Sequence, residues 1–317
     1  MALVVVSEWI DGAALEHLRG QHEVVSDPAL HADRSRLFEA LAQAEALLVR
    51  NQTHVDTALL DAAPRLRVIG RVGVGLDTID VAAAVARDVV VSWAPGTNAT
   101  SVAEYVIGAV VALARSFGPA TGHVVDGGWQ RQAFMGREVA GATLGIVGLG
   151  DIGARVARRA QALGMRLLAS DPVVHESSAA VQEFDVELVE LRALLERSHA
   201  VTLHVPLTAM TRDLIDEQAL GRMRRGAWLV NTARGELVDE EALATALRSG
   251  HLGGAALDVR RSEPPAGPDP LAGCPNLILT PHVAGVTLEA NARASAHAVE
   301  EVLRVLRGER ARTPAPE

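Results

Sequence analysis

Short apolar runs rich in β-branched residues mark the first third of the chain, at Leu3–Val6, Glu23–Val25, Ala46–Val49, Arg67–Ile69 and Val89–Val91. They are too short for helices, and their near-continuous apolarity predicts strands buried on both faces. Between them, residues 11–19, 33–43, 56–62 and 79–87 place apolar side chains at helical spacing. Strand alternating with helix is the pattern of a parallel sheet covered on both sides. A long Ala/Val-rich helix is predicted near 99–115, with Asn98 and Thr100 as candidate caps and Glu104 just inside. Apolar nearly all round, it is expected to lie buried between domains or subunits.

A second series of the same kind begins beyond it. The predicted strands are Thr143–Val147, Arg166–Ala169, Ala200–His204, Ala227–Asn231, Gly254–Leu257 and Leu277–Leu279, followed by a last helix near 288–307. The stretch Glu263-Pro264-Pro265-Ala266-Gly267-Pro268 reads as a rigid loop inside this series, and the tail 308–317 as frayed. Short tandem repeats and low-complexity linkers are absent. The fold class expected is α/β, with two doubly wound parallel-sheet domains. The last helix is expected to return to the first domain and make it discontinuous.

A length of 317 residues suits two cores. Aromatics are only 3% of a chain that is 49% hydrophobic, so the cores must be built from Ala, Val, Leu and Ile. Acidic residues outnumber basic ones 39 to 30, a formal charge of −9. An acidic surface makes nucleic acid and anionic membrane poor partners, and an anionic substrate would need a local cationic pocket. The single cysteine, Cys274, excludes an intramolecular disulfide and a thiolate metal cluster. The 11 histidines show no H-x-x-x-H spacing, so no metal is expected. The start of the chain lacks the basic flank and cleavage pattern of a signal peptide, and no apolar stretch is long enough to span a bilayer. The cytoplasm is the expected location.

Gly148-Leu149-Gly150-Asp151-Ile152-Gly153 is a G-x-G-x-x-G between a predicted strand, Leu144–Val147, and a predicted helix, Ala154–Leu163. Glycines allow the tight turn and the close approach of backbone to a pyrophosphate, which the helix N-terminus then faces with free N–H groups. Asp171 lies about twenty residues on, where an acid binds the adenine ribose and repels a 2′-phosphate. NAD is therefore favoured over NADP. Asp151 is an anion at this turn and is expected to point away from the phosphates or to favour the helix N-terminus by charge–dipole attraction.

Three later segments fall where strands should end: Asn231-Thr232-Ala233-Arg234-Gly235-Glu236, Leu257-Asp258-Val259 with Glu263-Pro264-Pro265, and Thr280-Pro281-His282-Val283-Ala284-Gly285. Ligands of open α/β sheets bind outside the carboxyl ends of strands. Reducing a 2-keto acid requires a proton on the carbonyl oxygen as hydride reaches carbon. His282 suits that task, Glu263 would orient the ring and stabilise its protonated form, and Arg234 offers a planar fork for a carboxylate and a developing oxyanion.

With these residues the chain resembles the D-2-hydroxyacid dehydrogenase family, over essentially its whole length. The resemblance runs through Arg71-Val72-Gly73-Val74-Gly75, Ser101-Val102-Ala103-Glu104, the Gly-rich turn, His204-Val205-Pro206-Leu207-Thr208, Asn231–Glu241, Ala256-Leu257-Asp258-Val259 and Pro281–Gly285. It implies Arg234, Glu263 and His282 as the catalytic trio. The NAD site it implies comprises Gly148, Gly150, Asp151, Ile152, Gly153, Asp171, His204, Pro206, Thr208, Thr232, Ala233 and Asp258. Backbone N–H groups of Val74 and Gly75 would bind the substrate carboxylate, with Asn98 at the cleft. A Rossmann-type NAD domain at 99–287 would be inserted in a flavodoxin-like substrate domain formed by 1–98 and 288–317. Such proteins are usually homodimers whose domains close to exclude water. Formate dehydrogenases of the superfamily carry Gln where this chain has Glu263, which disfavours them. The family commonly has Arg where this chain has Asp151.

Arg50-Asn51-Gln52-Thr53-His54, Arg71 and Trp129–Gly136 are similar to the phosphoglycerate dehydrogenase branch, and Arg131–Glu138 to sulfolactate dehydrogenases. That similarity implies a substrate with a second anion, held by Arg50, Arg71 and Arg131, the last reaching from a partner subunit. His54 departs from the Lys frequent in the phosphoglycerate branch. The serine-binding module of longer phosphoglycerate enzymes is not expected. A glyoxylate/hydroxypyruvate or general 2-keto acid reductase is the alternative within the class. An NAD-sensing corepressor-like protein is the alternative outside it.

Overall fold

Each of the first four helices starts on an aspartate. Asp11, Asp33, Asp56 and Asp80 accept hydrogen bonds from N–H groups in the first turns of α1 (Gly12–Arg19), α2 (Arg34–Leu41), α3 (Thr57–Ala62) and α4 (Val81–Val85). Such caps contribute about 1 kcal/mol each and fix where the chain turns from strand to helix. The strands they alternate with are β1 (Leu3–Val6), β2 (Glu23–Ser26), β3 (Ala46–Val49), β4 (Val68–Arg71) and β5 (Val90–Ser92). The computed structural model describes residues 1–316, which divide into two units, Met1–Asn98 with 286–316, and Ala99–Gly285.

In the first unit the strands pair in parallel in the order β2-β1-β3-β4-β5. This is the flavodoxin-like order. Strand alternation divides the apolar residues between two faces. Val5, Leu47 and Ile69 pack with Leu37 and Leu59 on one, while Val4, Leu48 and Val68 meet Leu18 on the other.

The second unit begins with α5 (Ala99–Ala114) and α6 (Phe117–Val125). It continues through β6 (Thr143–Val147), α7 (Asp151–Ala162), β7 (Arg166–Ser170), α8 (Ala179–Glu183), β8 (Val186–Leu188), α9 (Leu191–Arg197) and β9 (Ala200–Leu203). Next come α10 (Glu217–Arg222), β10 (Trp228–Asn231), α11 (Glu240–Arg248), β11 (Gly254–Leu257) and β12 (Leu277–Leu279). The sheet is parallel throughout, in the order β12-β11-β10-β9-β6-β7-β8. The strand order, not the strand direction, reverses between β6 and β9, the switch point at which doubly wound sheets bind ligands. α5 packs on α7 and over β10 and β11, with Glu104 and Gly108 exposed. Thr100, a candidate cap, lies inside α5 and accepts from Arg155 at 3.1 Å. β8 is a strand the hydrophobic pattern does not predict, being a three-residue edge strand with Glu187 exposed at its centre. α7 starts at Asp151, within the Gly-rich turn, three residues earlier than predicted.

α12 (Leu288–Leu306) returns to the first unit, where Ala298 and Val302 join the β1, β3 and β4 core. The tail expected to fray is tied down at residues 312–315, and Glu317 lies outside the described residues. Thr313 O accepts from Trp93 N, Ala315 N donates to Val91 O at 2.7 Å, and buried Glu301 accepts from the N–H groups of Arg312 and Thr313. The segment thereby satisfies backbone groups at the β5 edge. In contrast α6 buries none of its residues, and beyond it Trp129 and Met135 are 78% and 81% exposed. Among the described residues no single helix is long and apolar enough to cross a membrane.

Candidate active site

Register brings the three sequence segments together. Asn231, Leu257 and Leu279 are cross-strand partners at the carboxyl ends of β10, β11 and β12, so the loops that follow emerge side by side. Asn231 is fully buried and latches the first loop. Its Nδ2 donates to Arg234 O at 2.8 Å, and its Oδ1 accepts from Ala233 N at 3.0 Å. A buried amide at a strand end was a readable signal for this latch, because such groups must find partners. Arg234 is held partly buried, with one guanidinium nitrogen on Ala233 O at 2.6 Å.

Asp258 has a structural task in the loop after β12. It is 1% exposed, and its two oxygens accept from Thr280 Oγ1 at 2.6 Å, Val283 N at 2.8 Å and Ala284 N at 2.7 Å. Tyr105 from α5 hydrogen-bonds the same threonine at 2.6 Å, and burial pushes its phenol pKa up. This network fixes His282, which adopts a left-handed backbone (φ +57) and donates its N–H to Asp258 O at 2.8 Å. Asp258, expected beside the cofactor, thus spends its carboxylate on the histidine loop.

His282 Nδ1 lies 2.7 Å from Glu263 Oε2. Glu263 Oε1 accepts from Arg260 N at 3.0 Å, so both carboxylate oxygens are oriented. With Glu263 ionised, Nδ1 is the donor and Nε2 is the nitrogen left to exchange a proton with a ligand. The His282 and Glu263 side chains are 41% and 38% exposed, which keeps that nitrogen reachable.

At the switch point, Gly148 follows β6 with φ +91, and a Cβ there would stand 2.7 Å from His204 O. A Cβ on Gly153 would stand 2.2 Å from Gly148 O, whereas one on Gly150 would meet nothing within 4 Å. The turn is closed on two sides and open on the third, where α7 presents its N-terminus, and a pyrophosphate fits there. Asp151 pairs with Arg155 at 2.9 Å, one turn along the helix, which answers its charge locally. Ile152 is half-buried beside it. Asp171 follows β7 and accepts from Leu149 N of the turn at 2.8 Å, and from Val173 and Val174 N–H groups. Among the described residues, three buried side-chain atoms lack a hydrogen-bond partner: Ser92 Oγ in the first unit, and His204 Nδ1 and Thr232 Oγ1 after β9 and β10. Orphans of this kind are costly unless a bound molecule or water meets them, so the last two fit a polar ligand at this end of the sheet. Ala233 is half-buried after Thr232. Pro206 O accepts from Thr211 Oγ1, and Thr208 uses its hydroxyl to build its own turn. No group of three metal-ligating side chains occurs among the described residues.

His204 carries a pH prediction. It is half-buried with its Nδ1 out of reach of solvent, and desolvation lowers its pKa from 6.5 to about 3. The unfolded chain gains a proton near pH 6.5 that the native chain refuses until about pH 3. Its stability contribution is therefore complete above pH 6.5 and lost as pH falls, by about 2 kcal/mol at pH 5. Apo-protein melts at pH 7.5 and 5.0 should converge more closely for His204→Gln than for the parent chain. Equal pH dependence in both would exclude a neutral buried histidine.

In the first unit Arg71 is 8% exposed and braces the loop after β4, with Nε on Gly75 O and one terminal nitrogen on Val72 O, both at 2.7 Å. The N–H groups of Val74 and Gly75 in that loop donate to nothing among the described residues. Arg50 stacks its guanidinium 5.4 Å from the Trp9 ring centre and donates to Trp9 O and to Asn291 Oδ1. Desolvation lowers its pKa, partly offset by Glu8. Glu8, which sequence reasoning missed, is 4% exposed and holds the 50–53 loop through the N–H groups of Arg50, Gln52 and Thr53 and the Thr53 hydroxyl. Asn98 is half-buried just before α5, and Arg131 is exposed on the 3₁₀ turn Arg131–Phe134.

The family model "D-isomer specific 2-hydroxyacid dehydrogenase, NAD binding domain" matches residues 107–284. The chain is 50% identical over 307 residues to the (S)-sulfolactate dehydrogenase of Chromohalobacter salexigens, covering 96% of this chain and 99% of that one. It is 39% identical over 305 residues to the D-3-phosphoglycerate dehydrogenase of Archaeoglobus fulgidus, covering 96% of this chain but 57% of that longer one. A crystal structure of a Thermus thermophilus protein superposes with a TM-score of 0.92 at 35% identity, covering 99% of this chain and all of that one. The chain belongs to the D-isomer specific 2-hydroxyacid dehydrogenase family and is an NAD-dependent oxidoreductase of it.

Proposed function

We propose that the chain interconverts 3-sulfolactate and 3-sulfopyruvate, a short 2-hydroxy acid and its keto acid bearing a second anion. The observation that carries the dehydrogenase chemistry is the 2.7 Å contact of Glu263 with His282 beyond the aligned ends of β11 and β12. Bound NAD supplies or accepts the hydride. His282 Nε2 gives a proton to the carbonyl oxygen in reduction and takes it back in oxidation. Arg234 binds the oxygen on which charge develops, with a fork matched to oxyanions. In the first unit the open N–H groups of Val74 and Gly75 suit a carboxylate. Arg50 supplies a partly desolvated cation for the sulfonate, while Arg71 acts as the brace of the carboxylate loop. The 50% identity to a sulfolactate dehydrogenase supports this choice of tail over phosphate.

The test is kcat/KM with NADH for 3-sulfopyruvate, 3-phosphohydroxypyruvate, hydroxypyruvate and 2-ketoisocaproate. The sulfonate should lead, and Arg50→Met should lower its kcat/KM by about tenfold to a hundredfold while changing hydroxypyruvate little. Preference for the uncharged tails would overturn the anion reading. We further propose a homodimer in the cytoplasm, with the exposed apolar arm of Phe117, Val125, Trp129 and Met135 covered by a second copy that brings Arg131 with it. A monomer in sedimentation at micromolar concentration would contradict the dimer.

A further inference from the structure

A partly buried ion cluster flanks the loop that leads to Glu263. Arg260 follows Val259 beyond β11, and its side chain is 10% exposed, against 11% for Glu240 at the start of α11. The guanidinium donates to both Glu240 oxygens at 3.0 and 2.9 Å and to both Asp269 oxygens at 3.1 and 2.8 Å. Glu240 also accepts from Arg261 N at 3.0 Å. Hydrogen bonding to these carboxylates raises the arginine's pKa and lowers that of Asp269. Ion pairs contribute little net stability whether exposed or taken partly out of water, so stability alone is a weak reason for this cluster.

Its connections give a better reason. Gly235, next to Arg234, lies so close that a Cβ there would stand 2.0 Å from the Arg260 carbonyl carbon. Glu240 heads the helix that this same loop leads into. The Arg260 N–H orients Glu263, whose other oxygen holds His282. One arginine therefore links the loops that carry Arg234 and Glu263. Both members of the Glu263–His282 contact are open enough to exchange it for water, so their alignment depends on whatever fixes the loop backbone.

We propose that Arg260 is a positioning residue, and that the Glu240–Arg260–Asp269 clamp holds the backbone N–H that aims Glu263 at His282. This rests on the reading of Glu263 and His282 as the acid–base pair. Arg260→Met should lower the single-turnover rate of keto-acid reduction by about tenfold to a hundredfold, with KM and NADH affinity within about threefold of the parent. Arg260→Lys, which keeps the charge and loses the fork, should recover part of the loss. In a Glu263→Gln background Arg260→Met should cost less than about threefold, because the group it positions has already been disabled.

Equal losses in both backgrounds, or an unchanged rate in Arg260→Met, would overturn the proposal. If Arg260→Met fails to fold, Asp269→Asn, at a carboxylate 29% exposed, replaces it in the same cycle with the same criteria. Glu263→Gln alone separates the two levels. A normal rate there refutes the acid–base reading, whereas a depressed rate with a silent Arg260→Met refutes only the clamp.

Discussion

His282→Ala is expected to lower kcat for keto-acid reduction by about a thousandfold while leaving NADH affinity within about twofold. The size follows from what the ring supplies. Without a positioned donor, the carbonyl oxygen must take its proton from water as the hydride arrives, and positioned acids commonly accelerate such steps by about 10² to 10⁴. Retained NADH affinity follows from placement. The dinucleotide turn lies between β6 and α7, while His282 sits beyond β12, at the far edge of the sheet order. His282→Gln should be nearly as impaired, because an amide makes a hydrogen bond but does not exchange a proton at this pH. Stopped-flow hydride transfer with fluorescence titration of NADH separates the two quantities. Unchanged turnover in either variant would refute the proton-donor role.

Arg234→Met is expected to lower kcat/KM by about a thousandfold or more, since it removes oxyanion stabilisation together with part of substrate binding. Arg234→Lys should remain about a hundredfold below the parent despite its charge, because a single ammonium does not reproduce the planar fork. The loop itself should survive both changes. Asn231 holds it through the backbone of residues 233 and 234, and neither bond uses the guanidinium. Steady-state kinetics alongside thermal melts would check this. A lysine variant with parental kcat/KM would contradict bidentate recognition and leave Arg234 a general cation.

Much of the architecture was legible because each strand announces itself in few residues. β3 reads Ala-Leu-Leu-Val and is buried at all four positions, as a doubly covered parallel strand must be. β8 escaped because an edge strand of three residues with a glutamate at its centre carries no such run. The tail misled for a related reason. Prolines and charges at a chain end suggest fraying, but the hydrogen bonds to Val91 and Trp93 that tie it down depend on distant residues.

The chemistry shows the same division. Arg234, Glu263 and His282 could be singled out because their types fit a reaction and their segments end predicted strands. The groups that orient them left little trace. Arg260 stands between a buried valine and a proline-rich loop, where a charge ordinarily reads as solvated, and only the fold reveals Glu240 and Asp269 around it. For Arg71 and Asp258 the loop contacts that each makes could not be read in advance, since a charge that braces a loop and one that meets a ligand look alike in a sequence.

A crystal structure with NAD and a non-reacting analogue of the 2-hydroxy acid would show the proton donor and the oxyanion fork at work on one ligand. The analogue's 2-oxygen should lie within about 3 Å of His282 Nε2 and in contact with the Arg234 fork, with Glu263 still on Nδ1. An analogue whose 2-oxygen meets neither residue, or a His282 ring turned away from it, would mean that these side chains do not carry the acid–base chemistry.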